Sequence, residues 1–164
     1  MANTSFTGPV RSQNGFQGYS NDSSNVSLTL SAQGTGVVLN TSSVPFFQLT
    51  ATTVTTAADV TYTAAQLKTG LILRDPNGGA RADLFPTAAS LLTAVPGAIV
   101  GTSFIVTIRN TADAAETITM TTNTGLTLSG TMTIAQNAQK SFLVTFTDVS
   151  TAAVTIYSMG SVTF

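Results

Sequence analysis

Apolar and polar residues alternate with period two over most of this chain after residue 25. In "VSLTLS" the residues Val26, Leu28 and Leu30 fall on one face and Ser and Thr on the other, as in a strand with one buried side. "GVVLN", "PFFQLTATTV" and "DVTYT" read as further short strands. The signal is clearest in the second half. In "TSFIVTIRN" Phe104, Val106 and Ile108 alternate with Ile105, Thr107 and Arg109, and in "ETITMTT" Ile118 and Met120 face together. "LTLSGTMTIAQ" runs in phase through Leu126, Leu128, Met132 and Ile134 with a bend at Gly130. "KSFLVTFTDV" offers Phe142, Val144 and Phe146, and "AVTIYSMGSVTF" offers Val154 and Ile156. Strands at this spacing, joined by short turns, predict an all-β, jelly-roll-like antiparallel β-sandwich.

Two stretches depart from period two. "AAQLKTGLILRD" predicts a helical turn followed by a strand through Leu71, Ile72 and Leu73. "FPTAASLLTAVPG" predicts one short helix: Pro86 opens it, Ala88, Leu91, Leu92 and Val95 share a face, and Pro96-Gly97 closes it. Residues 1–25, rich in Gly, Asn and Ser, have no apolar periodicity and cannot fold alone. The aromatics spaced along them suggest an extended arm that orders against a partner, leaving 26–164 as the β domain.

Composition narrows the chemistry. The 164 residues contain neither Cys nor His, so thiol nucleophiles, cysteine metal sites and the commonest general base are excluded. Charged residues make up 8% and the net charge is −1, with no basic patch to follow a phosphate backbone; nucleic acid is not an expected partner. No apolar run reaches the ~20 residues of a membrane span, and the first ten residues lack a signal-peptide pattern, so the expectation is a protein made in the cytosol and not inserted in a membrane. Thr, about one residue in five, takes the place of charge. Strand faces carrying Ile105, Leu143 and nearby Val100 beside Thr, without charge, are suited to burial against another subunit.

Charge gathers in one place, "RDPNGGARAD", where Arg74, Asp75, Arg81 and Asp83 surround Pro76, Asn77, Gly78 and Gly79. The segment has neither the Lys of a phosphate-binding loop nor the spacing of a dinucleotide fingerprint, and too few acids for a calcium loop. Asp-Pro-Asn-Gly is a strong turn sequence, because Pro presets φ and Asn-Gly accepts positive φ. The expectation is a structural turn or interface loop. Asp113, Glu116 and Asp148 read as solvated turn acids, and Lys68 and Lys140 have no catalytic motif around them. We therefore expect no enzyme, no cofactor and no metal.

The run "GLILRDPNGGARADLFPTAASLLTAVPGAIVGTSFIVTIRNTADAAETITM", followed by "TLSGTMTIAQNAQKSFLVTFTDVSTAAVTIYSMGSV", resembles a trimeric β-domain of tailed-phage virion surfaces over about residues 64–162. "GPVRSQNGF" resembles the start of capsid decoration (cement) proteins, especially of cyanophage type. The resemblance implies a homotrimer on the outer capsid surface of the virion that binds the major capsid protein where capsomers meet. It implies that Phe6, Pro9, Val10, Arg11, Asn14 and Phe16 of the arm form the grip. The same β-domain also implies an alternative role in a head-fibre or tail-fibre tip binding a host glycan, although the chain has no Trp on which a sugar ring would stack.

Overall fold

The structure is a computed structural model and describes residues 50–164, which fall within one compact unit, Phe46–Phe164. The expected strands over 26–49, the arm and its boundary at 25/26 lie outside the described residues. From Thr50 onward the chain is mostly β, in two sheets with two short helices. In order it forms β1 (Thr52–Val54), α1 (Ala64–Lys68), β2 (Leu71–Arg74), β3 (Arg81–Leu84), α2 (Ala88–Ala94), β4 (Ser103–Asn110) and β5 (Ile118–Thr121). It continues with β6 (Leu126–Ser129), β7 (Thr133–Ile134), β8 (Ala138–Asp148) and β9 (Ala153–Thr163). One sheet has the order β1-β2-β4-β8-β9-β6, the other β3-β5-β7.

The antiparallel expectation requires correction. β4–β8, β8–β9 and β5–β7 are antiparallel, but β1–β2, β2–β4, β3–β5 and β6–β9 are parallel. The reason lies in the connections. Between β2 and β4 the chain crosses to the second sheet as β3, forms α2, and re-enters the first sheet beside β2 in the same direction, as a crossover connection does. A tight hairpin at each of these places would have given the opposite pairing.

Two further expectations change. The single in-phase run through Leu126–Ile134 is two strands, because Gly130 at φ +96° breaks it and sends β6 to the large sheet and β7 to the small one. "DVTYT" makes only one bridge, Thr61 to Leu84, while the helical turn before β2 is a second helix. α1 forms because Thr63 and Gln66 make a reciprocal capping box at its start. α2 starts at the Thr87 cap, one residue after Pro86, and Gly97 at φ +78° follows its end.

Both sheets bury their apolar rows in one core. Val106 and Ile108 of β4, Phe142, Val144 and Phe146 of β8, and Ile156 of β9 pack in the same cluster as Ile118, Met120 and Ile134 of the small sheet. Leu67 and Leu91 close it from the helices. Phe85, just past β3, meets Phe142 edge-on with ring centroids 5.4 Å apart.

The β8–β9 turn is held by one carboxylate. Asp148 Oδ1 accepts from Ser150 N and Ser150 Oγ at 2.7 Å and from Thr151 N at 3.2 Å. These bonds, led by the Ser150 hydroxyl, hold the exposed carboxyl down at about 2, against an ordinary 3.8. A carboxylate with a depressed folded-state pKa contributes stability above its unfolded value and loses it as pH falls toward about 2. A carboxyl-carbon NMR titration should therefore find Asp148 ionised at pH 3, and Ser150→Ala should move its midpoint upward.

Candidate functional site

The charged segment is the junction between the two sheets. Arg74 ends β2, Asp83 lies in β3, and both are fully buried. Arg74 Nε donates to Asp83 Oδ2 at 2.8 Å and Nη2 to Oδ1 at 3.2 Å. The remaining guanidinium donors reach backbone carbonyls: Nη1 to Thr56 O and Asp75 O at 2.8 and 2.7 Å, and Nη2 to Ala58 O at 2.8 Å. All five N–H groups are thereby used. Asp83 also accepts from the Tyr62 hydroxyl at 2.8 Å and from Val60 N at 3.1 Å. Burial would lower the Arg74 pKa, but hydrogen bonding and charge from Asp83 outweigh it and the guanidinium lies above its ordinary value. Burial, reinforced by the Asp83 charge, pushes the Tyr62 phenol well above its ordinary 10.0, so it remains a donor.

The other two charges close the turn on itself. Asp75 Oδ1 accepts from Asn77 N at 2.9 Å, and Asn77 takes φ +53°. Arg81 Nε donates to Pro76 O at 3.0 Å and Nη2 to Asn77 O at 3.3 Å. The structure thus joins Arg74 to Asp83 in the core and places Asp75 and Arg81 at the turn surface, each bonded to local backbone. This arrangement locks a chain reversal and two sheets together.

Outside the motif, Glu116 differs from its sequence reading, and Lys140 and Asn110 are buried polar residues to which the sequence assigned no structural role. Glu116 is not a solvated turn acid: it is 7% exposed, and its Oε1 accepts from Gly78 N at 2.9 Å while Oε2 is buried with no partner among the described residues. Lys140 lies on the core-facing row of β8, where its Nζ donates to Thr131 O at 2.6 Å and burial lowers its pKa. Asn110, fully buried, donates to Glu116 O and Ile134 O and accepts from Ala112 N. The period-two position of Lys140, in line with Phe142 and Val144, was the available signal for its burial. Nothing local marked Glu116 or Tyr62. Among the described residues no three His, Cys, Asp or Glu side chains gather as a metal site, and no helix is long and apolar enough to cross a membrane.

The outward face of β4, β8 and β9 is the other distinctive surface. Ile105, Leu143 and Tyr157 stand in register across these strands, among Ser103, Thr107, Ser141, Thr145 and Thr155. Ile105 is 52% exposed, and Met159 and Val162 extend the apolar surface along β9. Arg109 lies on the outward face near the end of β4, and its guanidinium lies 3.5 Å from the centroid of the Phe164 ring. Val100 is also exposed, in the loop before β4. The arm residues Phe6, Pro9, Val10, Arg11, Asn14 and Phe16 lie outside the described residues. Comparison with family models, with curated proteins and with solved structures finds no match to this chain.

Proposed function

We propose that this chain is a structural virion protein: a homotrimeric, jelly-roll-like capsid decoration module that binds the outer surface of the major capsid protein and stabilises capsomer junctions. The observation that carries the reading is the outward face of β8 and β9, where Tyr157, Met159 and Val162 are exposed on a surface of Thr and Ser. A subunit interface needs an apolar, charge-depleted centre of this kind. The buried Arg74–Asp83 tie supports the same role, because it commits two of the motif's four charges to holding the sheets together. The resemblance of residues 64–162 to trimeric virion β-domains adds to it, and residues 1–25 are the segment that would grip the shell.

Co-sedimentation with undecorated shells of the parent virus tests the reading. Saturable binding by the full chain, lost on deleting residues 1–25 while the trimer survives, is expected. Absence of binding by both forms would overturn it and turn attention to host-glycan binding. The trimer itself should be sensitive to charge at its centre. Met159→Lys with Val162→Lys places like charges together across a closed interface, and light scattering should show subunit dissociation rise at least about tenfold.

A further inference from the structure

Asn77–Gly78, at the tip of the charged turn, is an Asn-Gly link, the dipeptide most open to spontaneous ring closure. In that reaction the Gly nitrogen attacks the Asn side-chain carbonyl carbon, unhindered because Gly has no Cβ. A bond from nitrogen to Cγ forms and the Cγ–Nδ2 bond breaks. Ammonia leaves, carrying the hydrogen that the Gly nitrogen gave up. Water then opens the cyclic imide at either carbonyl, giving Asp or its β-linked isomer. Asn77 and Gly78 are both exposed, so water reaches them. We infer that Asn77 is a latent site of this modification and that Glu116 is the residue that holds it closed.

Four hydrogen bonds fix the link. Asp75 Oδ1 accepts from Asn77 N at 2.9 Å, and Arg81 Nη2 donates to Asn77 O at 3.3 Å. Asn77 Nδ2 donates to Thr55 O at 3.2 Å, and Gly78 N donates to Glu116 Oε1 at 2.9 Å. The first two lie inside the turn. The last two tie the leaving amide and the attacking nitrogen to residues 22 and 38 positions away. Of these the Glu116 bond weighs more, because the nitrogen must lose the very hydrogen that Glu116 accepts. A carboxylate at that distance also opposes negative charge on the nitrogen. Glu116 is itself buried, and its Oε2 has no partner among the described residues. Burying a carboxylate for one N–H is unfavourable, and a turn already closed by Asp75 and Arg81 does not require it. Holding the Gly78 nitrogen accounts for that burial. Conversion of Asn77 would replace the donor to Thr55 O by an oxygen, and the β-linked isomer would lengthen the turn that joins the sheets.

The full chain is incubated in mildly alkaline buffer well below its melting temperature. Peptide mass follows the acid form and chromatography the β-linked isomer, and mapping separates Asn77 from Asn14–Gly15, the other Asn-Gly link. A free peptide of sequence RDPNGGARAD sets the unrestrained rate. Conversion of Asn77 in the folded chain is expected to be at least about tenfold slower than in the peptide. Glu116→Ala should recover at least about tenfold of that rate, and Glu116→Gln, which keeps an acceptor but not the charge, should fall between. Circular dichroism establishes that each variant is folded; should Glu116→Ala not fold, Glu116→Gln against the wild type carries the test. Gly125→Ala, which loosens the fold elsewhere, should leave the Asn77 rate near that of the wild type. Folded Glu116 variants that convert at the wild-type rate would overturn the inference. Slower conversion in them would also overturn it, by making Glu116 a base that promotes the reaction. Equal acceleration in Gly125→Ala would overturn it by assigning the protection to global stability. None of these results depends on whether the protein binds a shell.

Discussion

Asp83→Asn should destabilise the domain by about 3–5 kcal/mol, seen as a lower denaturant midpoint with an unchanged slope. The substitution keeps the side-chain shape but leaves the fully buried Arg74 guanidinium without its counter-charge. Replacing a buried pair by apolar residues of similar volume is often neutral in other proteins. Here it should not rescue. An Arg74→Met, Asp83→Leu double variant removes the donors to Thr56 O, Ala58 O and Asp75 O and the acceptors for Tyr62 and Val60 N. Each buried polar group left unpaired costs about 1–3 kcal/mol, so the double variant should be at least as unstable as the single one. Recovery of wild-type stability in the double variant would mean that the tie contributes only charge pairing. Tyr62→Phe, which removes one donor to Asp83, should have a smaller effect. Because the Tyr62 pKa is raised, the stability linked to its protonation is present below pH 10 and is lost only as pH rises beyond that value.

Gly125→Ala should destabilise by about 2–5 kcal/mol, combining a backbone term of about 1–2 with overpacking of about 1–3. Gly125 has φ +78°, and a Cβ there would lie 2.6 Å from the Ala152 carbonyl oxygen and 2.8 Å from Ala88 Cβ. Neither neighbour can yield easily. Ala88 opens α2 and bonds to Thr124 O, while Val154 N donates to Gly125 O just past the β8–β9 turn. Gly97 is the matched control, with the same φ of +78° but nothing within 4 Å of the added carbon. Gly97→Ala should show the backbone term alone, and chemical unfolding of both variants separates the two contributions. Equal losses would show that the α2 and β8–β9 turns move apart freely.

Strand content was legible because it depends on local alternation. Phe104 to Ile108, Phe142 to Phe146 and Val154 to Ile156 carry their own burial pattern, and any fold that buries one face of them must pair them as strands. α2 was legible because Pro86 and Pro96-Gly97 act within a few residues of themselves. The turn at Asp75–Gly79 was legible for the same reason. Partner choice was not. The return of β4 beside β2, and the separation of β6 from β7 into different sheets at Gly130, depend on where a crossing chain finds an open edge.

The candidate site divides the same way. The sequence marked Arg74 and Asp83 as members of a charge cluster, but placing them in the core required Tyr62, Val60, Thr56 and Ala58 to arrive from an earlier loop. Glu116 looked like a surface acid because its partner, Gly78 N, is 38 residues away. By itself, then, the sequence determined what local sterics and periodicity control: strands, caps, turns and a surface short of charge. The tertiary structure alone decided which strands run parallel, which charges are buried and which apolar residues are left facing outward. Those outcomes are sums over contacts between residues far apart in the chain, and no local pattern contains them.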